Sequence, residues 1–134
     1  MIIRPYIPDD AMAVVAILQQ NQQYHDPRID GPAALDRVAV CPAAVALVAV
    51  TGGEITGYIQ AVYDGARAMI HLLSVKPACQ GRGTGSALAA AVWEELQRRG
   101  APTVSVTVTA ASSGFWEKQH FYNLPVFLML REAE

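Results

Sequence analysis

Apolar and polar positions along the chain change period several times, and the changes divide it into elements. Residues 2 to 7, IIRPYI, predict a short edge strand in which the proline at position 5 costs little, because an edge position need not donate its N–H. PDDAMAVVAILQQN follows with Met12, Val15 and Leu18 at helical spacing behind a proline and two aspartates, which predicts a helix with an acidic first turn. The polar run QNQQYHDPRIDGP reads as a loop, and a second, shorter helix is predicted from Pro32 to about Val40 through Leu35 and Val38. From Ala43 the period changes. AVALVAV, the turn TGGE and ITGYIQAVYD predict a hairpin, with a glycine at position 57 that fits a bulge, and AMIHLLSV predicts the next strand.

Beyond Gly83 the apolar positions Leu88, Ala91, Val92 and Leu96 recur at helical spacing, Glu94 and Glu95 precede Arg98 and Arg99 by four, and Gly100 stands at the end. TVSVTVT alternates as a strand, ASSGFWEKQ predicts a short helix, and PVFLML predicts a last strand. The order β-α-α-β-β-β-α-β-α-β predicts an α/β chain with a mixed sheet, in which three consecutive antiparallel strands lead through a crossover helix to a parallel one.

Length fits one domain spanning residues 1 to 134, with no internal repeat or linker. No apolar stretch reaches the roughly 20 residues that span a bilayer, and the first ten residues carry no export pattern, so a cytoplasmic location without membrane contact is expected. Cys41 and Cys79 do not form a metal-ligand pattern, and no metal is expected. The net charge of -2 is unevenly split. Residues 1 to 66 hold three arginines against seven acidic side chains, whereas residues 67 to 134 hold seven basic against five acidic ones. That imbalance suits an anionic ligand in the second half and a cationic one in the first, and it suits scattered solvated charges equally well. A sequence pI near 5.9 and the lack of a basic stripe argue against nucleic acid.

The stretch VKPACQGRGTGS sits between the fourth strand and the long helix. A helix start offers unpaired N–H groups and a positive dipole end, so bare backbone there makes a phosphate or pyrophosphate site. Gly81, Gly83 and Gly85 supply the bareness, Arg82 a guanidinium, and Thr84 and Ser86 hydroxyls. The P-loop spacing fails for want of a lysine before Lys118, and the dinucleotide fingerprint fails because Ser86 or Leu88 stands where its third glycine is needed.

These residues resemble the GNAT N-acetyltransferase superfamily, whose motif Gln/Arg-x-x-Gly-x-Gly/Ala reads here as Gln80 to Gly85, preceded by Val75 and Pro77. The order of elements also matches, and FWEKQHF, residues 115 to 121, is similar to the family's F-Y-E-K-x-G-F. The resemblance implies acetyl-coenzyme A as cosubstrate and a fold whose fourth and fifth strands splay apart around its pantetheine arm. On this reading Leu73, Ser74 and Val75 offer strand-edge backbone to the arm, Gln80 to Ser86 hold the pyrophosphate, and Phe115 flanks the arm.

Acyl transfer to an amine needs a neutral amine, a stabilised oxyanion and a proton for the thiolate. His71, four residues before Val75 and near the place where many members carry a glutamate, is the candidate base; a packed sheet histidine is the plain alternative. The oxyanion would meet backbone N–H of the splayed strand. Trp116 stands where the family often has a tyrosine, and an indole cannot act as a general acid. Tyr122, with His120 beside it, is then the candidate acid; water is a second source, and binding without turnover is the third reading. The family's common asparagine is Thr109 here.

The acceptor would meet Tyr24, His25, Asp26 and Asp30 of the first loop with Tyr58 and Tyr63, and the negative first half suggests a cationic amine, small molecule or protein. Rival classes are a non-catalytic acyl-coenzyme A sensing module and a nucleotide-binding domain. Members commonly form homodimers, and VFLML offers either such an interface or a strand in the chain's own sheet.

Overall fold

The computed structural model describes residues 1–133. Five strands form one mixed sheet in sequence order: β1 (Ile2–Pro5), β2 (Ala44–Thr51), β3 (Glu54–Tyr63), β4 (Ala68–Val75) and β5 (Val104–Val106). The first four are antiparallel, and β5 joins β4 in parallel after the crossover through α4 (Thr84–Arg99). The β2–β3 turn is the pair Gly52-Gly53, both at positive φ, as a two-residue hairpin that follows the right-handed strand twist requires.

Helices cover both faces. On one side lie α1 (Ala11–Gln20) and α3 (Pro32–Ala39), where Val14, Leu18 and Leu35 meet Val48 and Tyr58. On the other lie α4 and α5 (Ser113–Lys118), where Leu88, Val92, Leu96 and Trp116 meet Ala49, Ile59 and Ile70. The N-terminal turn of α1 is held by Asp10, which accepts both nitrogens of the Arg4 guanidinium at 2.8 and 2.9 Å and the Ile7 N–H. Arg4 draws the Asp10 carboxyl below its usual range and more than offsets the opposing effect of burial.

The sequence reading needs four corrections. Met12 faces solvent at 69% exposure, because the buried stripe of α1 runs through Ala11, Val14, Val15, Ile17 and Leu18. The first loop contains a further helical turn, α2 (Pro27–Asp30), capped by Asp26, whose carboxylate accepts the Arg28 N–H. β5 keeps only residues 104 to 106 of the expected strand. PVFLML is not a strand here: no described strand follows β5, and these side chains point into water. A strand needs an edge to pair with, and this segment has not met one.

Candidate functional site

The expected glycine loop lies where β4 hands the chain to α4. Gly81 and Gly83 adopt φ of +77° and +85°, the left-handed region that glycine enters without penalty, and a Cβ on either would meet only open space. Gly83 is the N-cap of α4 and has no side chain to satisfy the first turn. Among the described residues no protein acceptor pairs with the backbone N–H groups of Gly81 to Ser86. A row of unpaired donors at the start of a 16-residue helix has the donors and dipole end that an anion site requires. Arg82 is exposed beside it.

The corner beneath the loop is tightly built. A Cβ on Gly57 would stand 2.8 Å from Leu88 Cδ1 and 3.3 Å from the Ser74 carbonyl oxygen, so this glycine lets α4 lie directly on β3. The bulge expected at Gly57 is its neighbour Thr56, the extra residue in the β2–β3 pairing. Gly85 touches the Phe115 ring in the same manner, with a Cβ there 3.3 Å from Cε1. The Thr84 side chain is buried and turned toward Gly57, so Thr84 offers its N–H rather than its hydroxyl to the loop. Ser86 remains exposed and its Oγ accepts from Gln119 Nε2 at 3.1 Å, which ties α5 to the loop.

β4 and β5 pair only at Ala68–Ile70 with Val104–Val106, after which β4 runs on to Val75 paired with β3 alone. The two strands therefore open into a cleft toward the glycine loop. The Lys76 N–H donates to the Thr56 carbonyl at 2.8 Å, which fixes the alternation: Leu72, Ser74 and Lys76 point their backbone groups to β3, and those of Leu73 and Val75 point to the open side. Side-chain amides from the end of α1 and from Gln80 reach this edge. Asn21 Nδ2 donates to Ser74 Oγ at 2.7 Å and to the Val75 carbonyl at 2.8 Å, Gln80 Nε2 to the same carbonyl at 3.1 Å, and Gln23 Nε2 to the Leu73 carbonyl at 3.2 Å. Gln23 Oε1 is buried without a partner. Neither Asn21 nor Gln23 was singled out from sequence, where the run QQNQQ carries no more than polarity.

His71 is the extra residue of a bulge between Ile70 and Leu72 in the β3–β4 pairing, and its side chain is exposed. The bulge reverses the alternation: Ile70 packs on the α4 side and Leu72 on the α1 side. Such a device aims a side chain out of the ladder. Of the remaining candidates, Phe115 lines the loop, whereas Trp116 is core, with its ring edge-on to Phe115 and Phe121 at 4.9 and 5.3 Å. Tyr122 is 83% exposed beyond α5. Thr109 begins the turn into α5, its N–H donating to Ser112 Oγ at 3.1 Å.

Three acidic side chains of the first half have partners within the chain. Asp30 is buried and accepts the N–H groups of His25 and Asp26, Asp26 is paired with Arg28, which draws its carboxyl down to about 2, and Asp36 accepts the Tyr6 hydroxyl at 2.8 Å. Tyr58 is fully buried and donates to Gln60, and burial pushes its hydroxyl well above the usual range, so it stays protonated. Asp26, Asp30 and Asp36 are thus engaged within the chain. Two surface concavities, of about 360 and 340 Å³, lie against α3 and against α1, away from the glycine loop. Among the described residues no helix is long and apolar enough to cross a membrane. None of their His, Cys, Asp and Glu side chains form a group that could hold a metal ion.

An open β4 edge that runs into a row of unpaired N–H donors is the arrangement implied by the resemblance. The model of the acetyltransferase (GNAT) family matches residues 12–121. The chain belongs to the GNAT acetyltransferase family. An acetyltransferase of Pectobacterium atrosepticum is 31% identical over 127 residues, covering 90% of this chain and 87% of that protein. Among solved structures, a protein described as a transcriptional regulator from Bacillus halodurans superposes with a TM-score of 0.80 at 20% identity, over 98% of this chain and 99% of that one. An aminoglycoside 6'-N-acetyltransferase complexed with coenzyme A superposes with a TM-score of 0.67 at 20% identity, over 88% of this chain and 73% of that one. The GNAT fold of this chain is the mixed five-stranded sheet with helices on both faces.

Proposed function

We propose that this GNAT chain is an acetyl-coenzyme A-dependent N-acetyltransferase that moves the acetyl group to a primary amine by direct attack. The observation that carries the reading is the run of unpaired N–H groups from Gly81 to Ser86, continuous with the edge of β4 that no strand pairs. The pyrophosphate caps α4, with Arg82 as counter-charge, and the pantetheine arm lies along Leu73 and Val75 with Phe115 at its side. The backbone N–H of Leu73 or Val75 then faces the thioester oxygen.

The amine nitrogen attacks the thioester carbonyl, its proton leaves to His71 through a water, the C–S bond breaks, and the thiolate takes a proton. Solvent supplies that proton in this reading, because Trp116 is buried in the core and the Tyr122 side chain stands 83% exposed to water. A thiol of pKa near 8.5 is a tolerable leaving group, and a missing general acid costs about 10² to 10⁴-fold in rate. Slow turnover is therefore expected.

Calorimetric titration with acetyl-coenzyme A beside a Gly83→Glu variant tests the site. A carboxylate at Gly83 enters open space in front of the α4 N-terminus, and its left-handed backbone costs about 1–2 kcal/mol, which a melting curve monitors. The parent is expected to bind and the folded variant to lose at least tenfold in affinity; no binding by the folded parent sinks the reading. A second reading, a module that binds acyl-coenzyme A without turnover, draws on Trp116 and Tyr122 and on the occurrence of this fold in a protein described as a transcriptional regulator. Coenzyme A release that depends on an added amine separates the two.

A further inference from the structure

The concavity of about 360 Å³ against α3 brings together groups that the fold leaves unused. Ala34, Arg37 and Val38, at i, i+3 and i+4, form its α3 wall, Arg28 and Ile29 come from α2, and Gln60 comes from β3. Ile29 is 67% exposed there, an apolar side chain without cover. Arg28 is answered by Asp26, whose carboxylate accepts its Nε and Nη2. Arg37 is not answered: among the described residues no carboxylate pairs with it, and its Nη2 donates to the Arg28 carbonyl at 3.4 Å. Tyr58 is fully buried, and its hydroxyl donates to Gln60 Oε1 at 2.8 Å. A buried phenol needs that acceptor, so the Gln60 amide is held by its oxygen and its Nε2 is the end left for the cavity.

The side-chain groups open to a ligand, the remaining Arg37 N–H groups and Gln60 Nε2, are donors, and they stand beside apolar Ile29, Ala34 and Val38. Such a set fits an anionic group on an apolar stem, and the volume falls within the roughly 300–1,000 Å³ of small-molecule sites. One uncompensated guanidinium suits one negative charge, a carboxylate rather than a phosphate. Gln60 pairs with Leu72 in the β3–β4 ladder, so the cavity adjoins, one strand away, the stretch from His71 to Leu73 that the proposed reaction uses. We propose that this cavity anchors the acceptor: the amine substrate carries a carboxylate on a short apolar stem, held by Arg37 and Gln60, while its amine end reaches β4. The assignment rests on the acetyltransferase reading and names the substrate class for it.

Hexanoate titrated into the intact chain, with the side-chain N–H signals of Arg37 and Gln60 followed by NMR, is expected to shift both with a Kd in the millimolar range, while hexylammonium shifts neither. Arg37→Gln, its fold checked by a melting curve, is expected to weaken hexanoate about fivefold, and Arg37→Lys less. In turnover, ω-amino acids are expected to exceed their primary amides about fivefold in kcat/KM, through KM, and Arg37→Gln to erase that preference. Hexanoate that leaves both signals in place on the folded parent overturns the site. Acetyl-coenzyme A binding and turnover with no preference for the carboxylate overturn the anchor and leave the acetyltransferase reading standing. Hexanoate binding by a chain that takes no acetyl-coenzyme A overturns that reading and, with it, the acceptor role of the cavity.

Discussion

The C-terminal ends of α4 and α5 close with the same bonds on different residues. At α4 the Ala101 N–H donates to the Leu96 carbonyl and the Gly100 N–H to that of Gln97, with Gly100 at φ +96°. At α5 the Phe121 N–H donates to the Trp116 carbonyl and the His120 N–H to that of Glu117, with His120 at φ +71°. Each closure is sealed by an apolar contact across the turn, Leu96 and Ala101 in the first and Trp116 and Phe121 in the second. The glycine at α4 adopts its conformation freely; the histidine at α5 is held there by what surrounds it. The backbone pattern is therefore set by burial of the apolar pair, and the residue at the left-handed position only adjusts its cost.

The largest test of this comparison is the apolar seal. Trp116→Ala is expected to cost about 4 kcal/mol and Leu96→Ala about 3 kcal/mol, measured by urea unfolding. A cost for Trp116→Ala below 1 kcal/mol would mean that α5 is a frayed appendage and would end the comparison. Next comes Gly100→Ala. Space is available, since the nearest atom to the new Cβ is the Tyr63 hydroxyl at 3.9 Å, so only the backbone acts. The left-handed penalty of about 1–2 kcal/mol exceeds the roughly 0.4–1 kcal/mol gained by stiffening the unfolded chain, leaving a net loss near 1 kcal/mol. His120→Gly reverses both terms and is the smallest effect, a gain of about 0.5 kcal/mol that raises the melting temperature by about 2 °C. A drop in melting temperature would show that the imidazole contributes more than its backbone strain takes away.

Much of the fold was legible because its signals are local. The helix from Gly83 to Gly100 announced itself by period, cap and charge spacing; Glu95 meets Arg99 as that spacing predicts, and Arg98 pairs with Glu95 in place of Glu94. The hairpin at Gly52-Gly53 is a property of two residues. The glycine loop was readable for the same reason: positive φ and bare backbone are written in the residue type itself. What escaped depends on distant partners. Gly57 passes for a bulge marker until Leu88, 31 positions later, is seen resting on it. Asn21 and Gln23 acquire meaning only from the carbonyls of Val75 and Leu73. The bulge that turns His71 outward exists in the pairing of two strands and in neither alone. PVFLML has the composition of a strand, but a strand is a relation, and its partner edge is not in the segment. His120 was detectable as a departure from the glycine of the family's F-Y-E-K-x-G-F, had position rather than side chain been weighed.

The short β4–β5 pairing also sets an order of assembly. β2, β3 and β4 are joined by turns of two and four residues, so their pairing closes small loops, whereas β5 can dock only after a crossover of 28 residues from Val75 has laid α4 across the sheet. Contacts between distant segments form late and are the first to open. The three rungs between Ala68–Ile70 and Val104–Val106 should therefore exchange their amide hydrogens at a lower opening free energy than the β3 ladder, a difference that native-state exchange in low denaturant reads directly. The opening between β4 and β5 is in this sense closed later than the β2–β4 meander, and its mouth is a place where the folded chain is weakly committed to itself.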